Sequence, residues 1–277
     1  MPKEVRKVLI DFHTHIFPDR IAPGAVESLK NGVRRIEGID PPNYTDATYE
    51  GLIKSMYEQN VDLSIAMPIA TNPQKPDSIN EFAKGIRNNN IISFGSVHPE
   101  QTDAVEWVYK LKEMGFMGLK LHPEFQYSFI DSKDSIEVLK TAEKAGLLVM
   151  LHAGADIGMP PPVHCTPKRL KNALEYVKGD NIIAAHLGGW RMWDEVEEHL
   201  VGTPIYMDTA YVLLDIKKEQ CRRIIKNHGE DKILFGSDSP WETPLHTLEF
   251  IESLGLDSEI VEKIKYKNAK KLLEKYK

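Results

Sequence analysis

The feature that most constrains this chain is an alternation of eight short apolar runs with stretches of helical periodicity. The strand candidates are Val8–His15, Leu63–Pro68, Ile91–Val97, Met117–His122, Leu147–His152, Ile182–His186, Ile205–Asp208 and Ile233–Asp238. The helix candidates are Asp46–Gln59, Ser78–Asn88, Asp103–Met114, Ser132–Ala145, Pro167–Val177, Met192–His199, Lys218–Asn227 and Leu245–Leu254. Most strands start about 30 residues apart, the length of one βαβ unit. Runs such as Leu147–Leu151 are apolar on both faces, as parallel strands buried on both sides must be. Eight such repeats in 277 residues predict an α/β fold, a single-domain (β/α)₈ barrel spanning residues 1–277. Asp257–Lys277 reads as a Lys-rich helical extension packed outside it. An open doubly wound sheet is the alternative.

A net charge of −6 and a pI near 6.0 argue against a nucleic-acid backbone or an anionic membrane as partner. The two cysteines, Cys165 and Cys221, are far apart and form no CxxC pair, which fits a reducing compartment. Met1–Lys7 is charged and does not read as a signal peptide. No apolar stretch approaches the ~20 residues that span a bilayer. The expectation is a soluble, cytoplasmic protein with a small-molecule substrate, for which a homodimer would be ordinary.

Two connections exceed the usual length, Phe17–Thr45 after strand one and Ala153–Thr166 after strand five. Both leave the C-terminal ends of strands, where barrel enzymes build active sites, and long loops there often act as lids.

Strand one ends Asp11-Phe12-His13-Thr14-His15, and simple alternation sends both histidines to one face at the mouth of the barrel. Paired imidazoles there suit an ion such as zinc. Alone, an HxH is weak evidence. Strand five, however, ends in His152, strand six in His186 and strand eight in Asp238, each before a small or turn-forming residue. A barrel delivers all of these side chains to one site.

Asp11–Phe17 with its HTH, LHAG at 151–154, HLGG at 186–189 and FGSDSPW at 235–241 resemble the amidohydrolase superfamily. The branch most similar is amidohydrolase-2, which includes aminocarboxymuconate-semialdehyde decarboxylase-like proteins. The resemblance runs from the first strand to the last. It implies one divalent ion, zinc with manganese or iron as substitutes, held by His13, His15, His152 and Asp238. It implies that His186 acts beside the ion on substrate or proton, and that Asp238 also accepts a proton from water.

Strand four, Gly118–Pro123, leaves its reading open. Lys120 is a cation paired with Asp11, a substrate-carboxylate ligand, or a carbamylated bridge between two ions, and His122 shares its face. Arg191 and Trp241, just past strands six and eight, are further substrate-binding candidates, with Arg191 suited to clamping a carboxylate. His98 ends strand three and either faces substrate or has a supporting structural role, and Asp208 ends strand seven as a candidate orienting group. His164 reads as an exposed loop histidine. His199, His228 and His246 carry no catalytic expectation.

Together these residues predict a metal-dependent hydrolase that opens an amide, lactone or ester of a small organic molecule. The same ligands would serve a decarboxylase or hydratase of an unsaturated or aromatic acid. A barrel that only binds a ligand would have lost Asp238 or His186. A TatD-type nuclease would show a glutamate on strand four and a basic surface, and this chain has neither.

Overall fold

The computed structural model describes residues 8–74 and 76–277, so the charged start Met1–Lys7 lies outside the described residues. Nine strand segments appear in chain order: β1 (Ile10–Thr14), β2 (Leu63–Ala66), β3 (Ile91–Ser93), β4 (Gly95–Ser96), β5 (Gly118–Leu121), β6 (Leu148–Leu151), β7 (Ile182–Ala184), β8 (Tyr206–Asp208) and β9 (Ile233–Leu234). All pairings are parallel, in the orders β1-β2-β3 and β4-β5-β6-β7-β8-β9. β3 and β4 are one barrel strand interrupted at Phe94, whose N–H still donates to Ala66 O of β2.

The seam closes between β9 and β1. Phe12 N–H donates to Phe235 O (2.8 Å), Asp238 N–H to His13 O (2.9 Å) and His15 N–H to Ser239 O (2.6 Å). The result is the predicted eight-stranded barrel. No helix among the described residues is long and apolar enough to cross a membrane.

Apolar side chains divide into two layers. One fills the barrel, with Ile10, Phe12, Ile65, Met67, Leu148 and Met150 among its members. The other lies between strands and surrounding helices. The helices start where the sequence supplies caps. Thr48, Ser132 and Thr166 each accept a hydrogen bond from the backbone N–H three residues on, and Pro167 occupies a first-turn position. Observed helices such as Tyr49–Glu58, Lys133–Ala145 and Trp193–His199 agree with the periodicity to within a few residues.

Two expectations need correction. The connection Phe17–Thr45 is not all loop, because Ala22–Glu37 forms a helix over the barrel mouth. The C-terminal segment does not simply lie outside, since Ala269, Leu272 and Leu273 of helix Asn268–Tyr276 join the interior cluster.

The strand-one alternation is also broken. Ile10 and Asp11 pair with Leu63 and Ser64, but Thr14 pairs with Ala66, so β1 carries one extra residue between Asp11 and Thr14. A bulge of this kind re-aims the residues beyond it. Ile10 and Phe12 can therefore fill the barrel while His13 and His15 gather at its rim.

The loop after β6 is pinned by Gly154, which pairs with Trp190. Gly154 has φ of +86°, and a Cβ there would lie 2.1 Å from Trp190 N. Gly154→Ala should cost about 3 kcal/mol from overpacking and left-handed backbone together. Calorimetry should record that as a fall of roughly 6–12 °C in Tm. A fall under about 2 °C would show that this loop has slack to move away from Trp190.

Candidate metal centre and cavity

The ring hydrogens at the barrel mouth can be placed by their partners, because a carbonyl or carboxylate oxygen only accepts. His13 Nδ1 donates to Asp208 Oδ2 at 2.8 Å, and His15 Nδ1 to Met67 O at 3.2 Å. Each neutral ring then carries its lone pair on Nε2, and these two atoms stand 3.0 Å apart. Asp238 Oδ1 lies 3.4 Å from the first and 3.2 Å from the second. Facing lone pairs repel unless a cation, a proton or a metal ion, sits among them. His13, His15 and Asp238 thus form a group whose ligand atoms all fall within 4.8 Å of one another, suited to a divalent ion.

A second pair obeys the same logic. His186 Nδ1 donates to Ala210 O (2.9 Å) and His152 Nε2 to Ala155 O (3.2 Å). The remaining His186 Nε2 and His152 Nδ1 face each other at 3.0 Å. Of the expected set of four, His13, His15 and Asp238 converge, and His152 lies against His186, whose ring centroid is 5.4 Å from that of His13.

Burial sets the charge state of these rings. It pushes His13 well below its usual range, with the Lys120 ammonium adding to the effect, and it lowers His152 likewise with His186 beside it. Burial alone would raise Asp238. A cation among the facing nitrogens, such as a proton on His15 Nε2 that Asp238 accepts, outweighs it and holds the carboxyl down at about 2. Asp238 is a carboxylate under any ordinary condition.

Lys120 stands between the two groups in charge as well as in place. Its Nζ is 3.2 Å from His13 Nε2, and burial lowers it to about 8 against the pull of Asp238, Asp208 and Asp156. The pairing with Asp11 does not occur. Asp11 instead accepts from Ser237 N (2.9 Å), Ser237 Oγ (2.5 Å) and His13 N (3.2 Å), across the β9–β1 seam.

His122 is layered between Phe125 (centroids 3.8 Å apart) and His152 (4.2 Å). Its Nδ1 accepts from Phe125 N, so Nε2 carries the hydrogen and points to Asp156 Oδ2 at 3.6 Å. Asp156 escaped the sequence reading. It lies in the loop after β6, and burial pushes its carboxyl up to about 7. Only its place four residues after His152 could have drawn attention to it. Tyr211, just past β8, was also missed. Burial, with the charge of Asp238 second, pushes its phenol up to about 12, so it keeps its proton.

These groups floor a cavity of about 680 Å³ whose walls are largely apolar. Trp241, a substrate-binding candidate, lines it. Arg191 does not. Its guanidinium is engaged by Asp215 (3.1 Å) and Glu37 (2.7 Å) and stacks on Trp190, so the carboxylate clamp is occupied by the protein's own acids. His164 is buried, not exposed, with Nδ1 2.7 Å from Glu124 Oε2. His98 is buried and accepts from Glu100 N, a local structural role.

The backbone at the site is strained. His186 (φ 59°) and Asp238 (φ 71°) are both left-handed, at about 1–2 kcal/mol each. Hydrogen bonds hold them there, from His186 N to Asp208 Oδ1 (2.9 Å) and from Asp238 N to His13 O (2.9 Å).

A family model described as amidohydrolase (Amidohydro_2) matches residues 10–275 of this chain. The chain belongs to the amidohydrolase family. It is an enzyme of the amidohydrolase type, as the strand-end motifs imply. The fold is similar to that of several solved structures. A TIM-barrel protein from Bordetella bronchiseptica shares 14% identity at a TM-score of 0.72, over 97% of this chain and 99% of that one. 5-Carboxyvanillate decarboxylase LigW from Sphingomonas paucimobilis shares 13% identity at 0.66, over 97% and 99%. A dihydroxybenzoic acid decarboxylase from Polaromonas sp. JS666, with bound manganese, shares 14% identity at 0.65, over 97% of each chain. No curated protein matches.

In this amidohydrolase, Asp208 orients His13. It takes the His13 Nδ1 hydrogen on one oxygen and two backbone N–H groups, of His186 and Ala210, on the other. An Asp208→Asn side chain can keep the backbone bonds but cannot accept from His13. Zinc affinity, read by competition with a chromophoric chelator, should fall about 10–100-fold. An unchanged affinity would mean that His13 is oriented by something else.

Proposed function

We propose that this amidohydrolase hydrolyses an ester, lactone or amide of a small, largely apolar molecule at a centre with two cation positions. The observation that carries the reading is the presence of two groups whose ligand atoms converge, His13 with His15 and Asp238, and His122 with His152 and Asp156, with His186 Nε2 3.0 Å from His152 Nδ1 and Lys120 Nζ 3.2 Å from His13 Nε2.

His13, His15, His152 and Asp238 would hold a divalent ion, which when bound would lower the pKa of a nearby water and polarise a carbonyl. The chain's own residues do the rest. Asp238, held ionised, takes the proton released on attack and returns it to the leaving group. Tyr211, a protonated phenol on the cavity wall, is assigned as donor to the oxygen that gains charge. Apolar walls exclude bulk water, and Trp190 and Trp241 offer flat surfaces to a ring or an acyl chain.

Decarboxylation of an aromatic acid is the second reading. The aromatic walls favour it, and two of the similar structures are decarboxylases of hydroxylated aromatic acids. Against it, Arg191 is not free to hold a carboxylate.

Protein purified without chelator should contain two divalent ions per chain, zinc or manganese or iron. His186→Ala should retain one. A single ion in the native protein, retained in His186→Ala, would overturn the two-position centre. The metal-loaded enzyme should hydrolyse members of a panel of aryl esters, lactones and anilides. Tyr211→Phe should lower kcat on them about 10²-fold with metal content unchanged. CO₂ release from dihydroxybenzoates without any hydrolysis would select the second reading instead.

A further inference from the structure

The roof of the cavity is the helix Ala22–Glu37, and the face it turns inward can be read from spacing. Ala25, Ser28, Leu29, Gly32 and Arg35 all line the cavity and recur at three or four residues, the period of one helical face. Gly32 seats this face on the loop after β6, where a Cβ would come within 3.0 Å of Gly158 O. One turn further on, that face ends in a cation.

Arg35 is the sole arginine or lysine among the described residues that line the cavity. Its sequence neighbour Arg34, on another face, is engaged by Glu27 (2.6 Å) and Asp40 (2.7 Å), and Arg191 by Glu37 and Asp215. Arg35 has no such partner among the described residues. An apolar cavity thus has histidines and carboxylates at its floor and one uncommitted guanidinium at its rim. A guanidinium matches a carboxylate in a two-point fork.

We propose that Arg35 is a specificity-determining residue that receives a carboxylate at the end of the substrate remote from the reacting group. The substrate class is then an apolar or aromatic molecule with an anionic tail. This rests on the reading that the cavity above the His and Asp floor is the substrate site.

The test is calorimetric titration of the zinc-loaded full chain with benzoate, benzene-1,4-dicarboxylate and biphenyl-4,4′-dicarboxylate. At least one diacid should bind about tenfold or more tightly than benzoate, the scale of one charge-assisted bond. Arg35→Gln should bring that preference to within about twofold, and Arg35→Lys should restore part of it. Arg35 lies at the exposed rim, so these variants leave the buried core untouched. No diacid preference in the wild type, or a preference that survives Arg35→Gln, would overturn the proposal and leave Arg35 as a helix-end charge. Benzoate binding that is indifferent to stripping the zinc would count against the floor as the substrate site. The ratio of diacid to benzoate affinity, and its response to Arg35→Gln, would still decide the role of Arg35.

Discussion

The seam between the last strand and the first is the constraint on which the site depends. Three hydrogen bonds, Phe12 to Phe235, Asp238 to His13 and His15 to Ser239, bring residues from opposite ends of the chain into register. The bulge in β1 then decides which side chains face the interior. Without the extra residue, the period of two that buries Ile10 and Phe12 would turn His13 away from the partners it meets. Asp11 stitches the seam from within by gathering two donors from Ser237. Closure of the barrel and assembly of the His13, His15 and Asp238 group are one event.

Much of this was legible in the sequence, because the fold is written in periods. Doubly apolar strands alternating with stretches of helical periodicity spelled out the barrel. Polar residues at the strand ends gave His13, His15, His152, His186 and Asp238. What could not be read was how those five divide. That depends on which ring nitrogen meets a carbonyl, and Met67, Ala155 and Ala210 supply those carbonyls from loops with no sequence signature. Asp156 and Tyr211 were missed for the same reason. Arg191 carried a plausible chemistry that two acids from distant segments, Glu37 and Asp215, had already taken up.

The tautomers also connect electrostatics to chemistry. A buried imidazole is inexpensive only when neutral, and a neutral imidazole has one donor and one acceptor. At this mouth the donors point outward, to Asp208 and to backbone carbonyls, and the acceptors point inward. The protein thus surrounds a small volume with lone pairs and one carboxylate. Such an arrangement repels itself and is relieved by positive charge. The buried Lys120 supplies part of that charge, and its lowered affinity for a proton reflects the cost of supplying it from so deep a position.

That economy of charge explains why the upper half of the cavity looks so different from its floor. The floor collects groups whose burial is tolerable only through mutual pairing or a bound cation. The walls contribute no further charge that would compete with that pairing. Where the chain needs cations to hold its roof, at Arg34 and Arg191, it neutralises them on carboxylates outside the cavity. A cation on the cavity face of the roof, left without such a partner, is therefore an exception to the pattern this structure follows elsewhere. The chemistry most able to complete it is an anion brought in by the substrate.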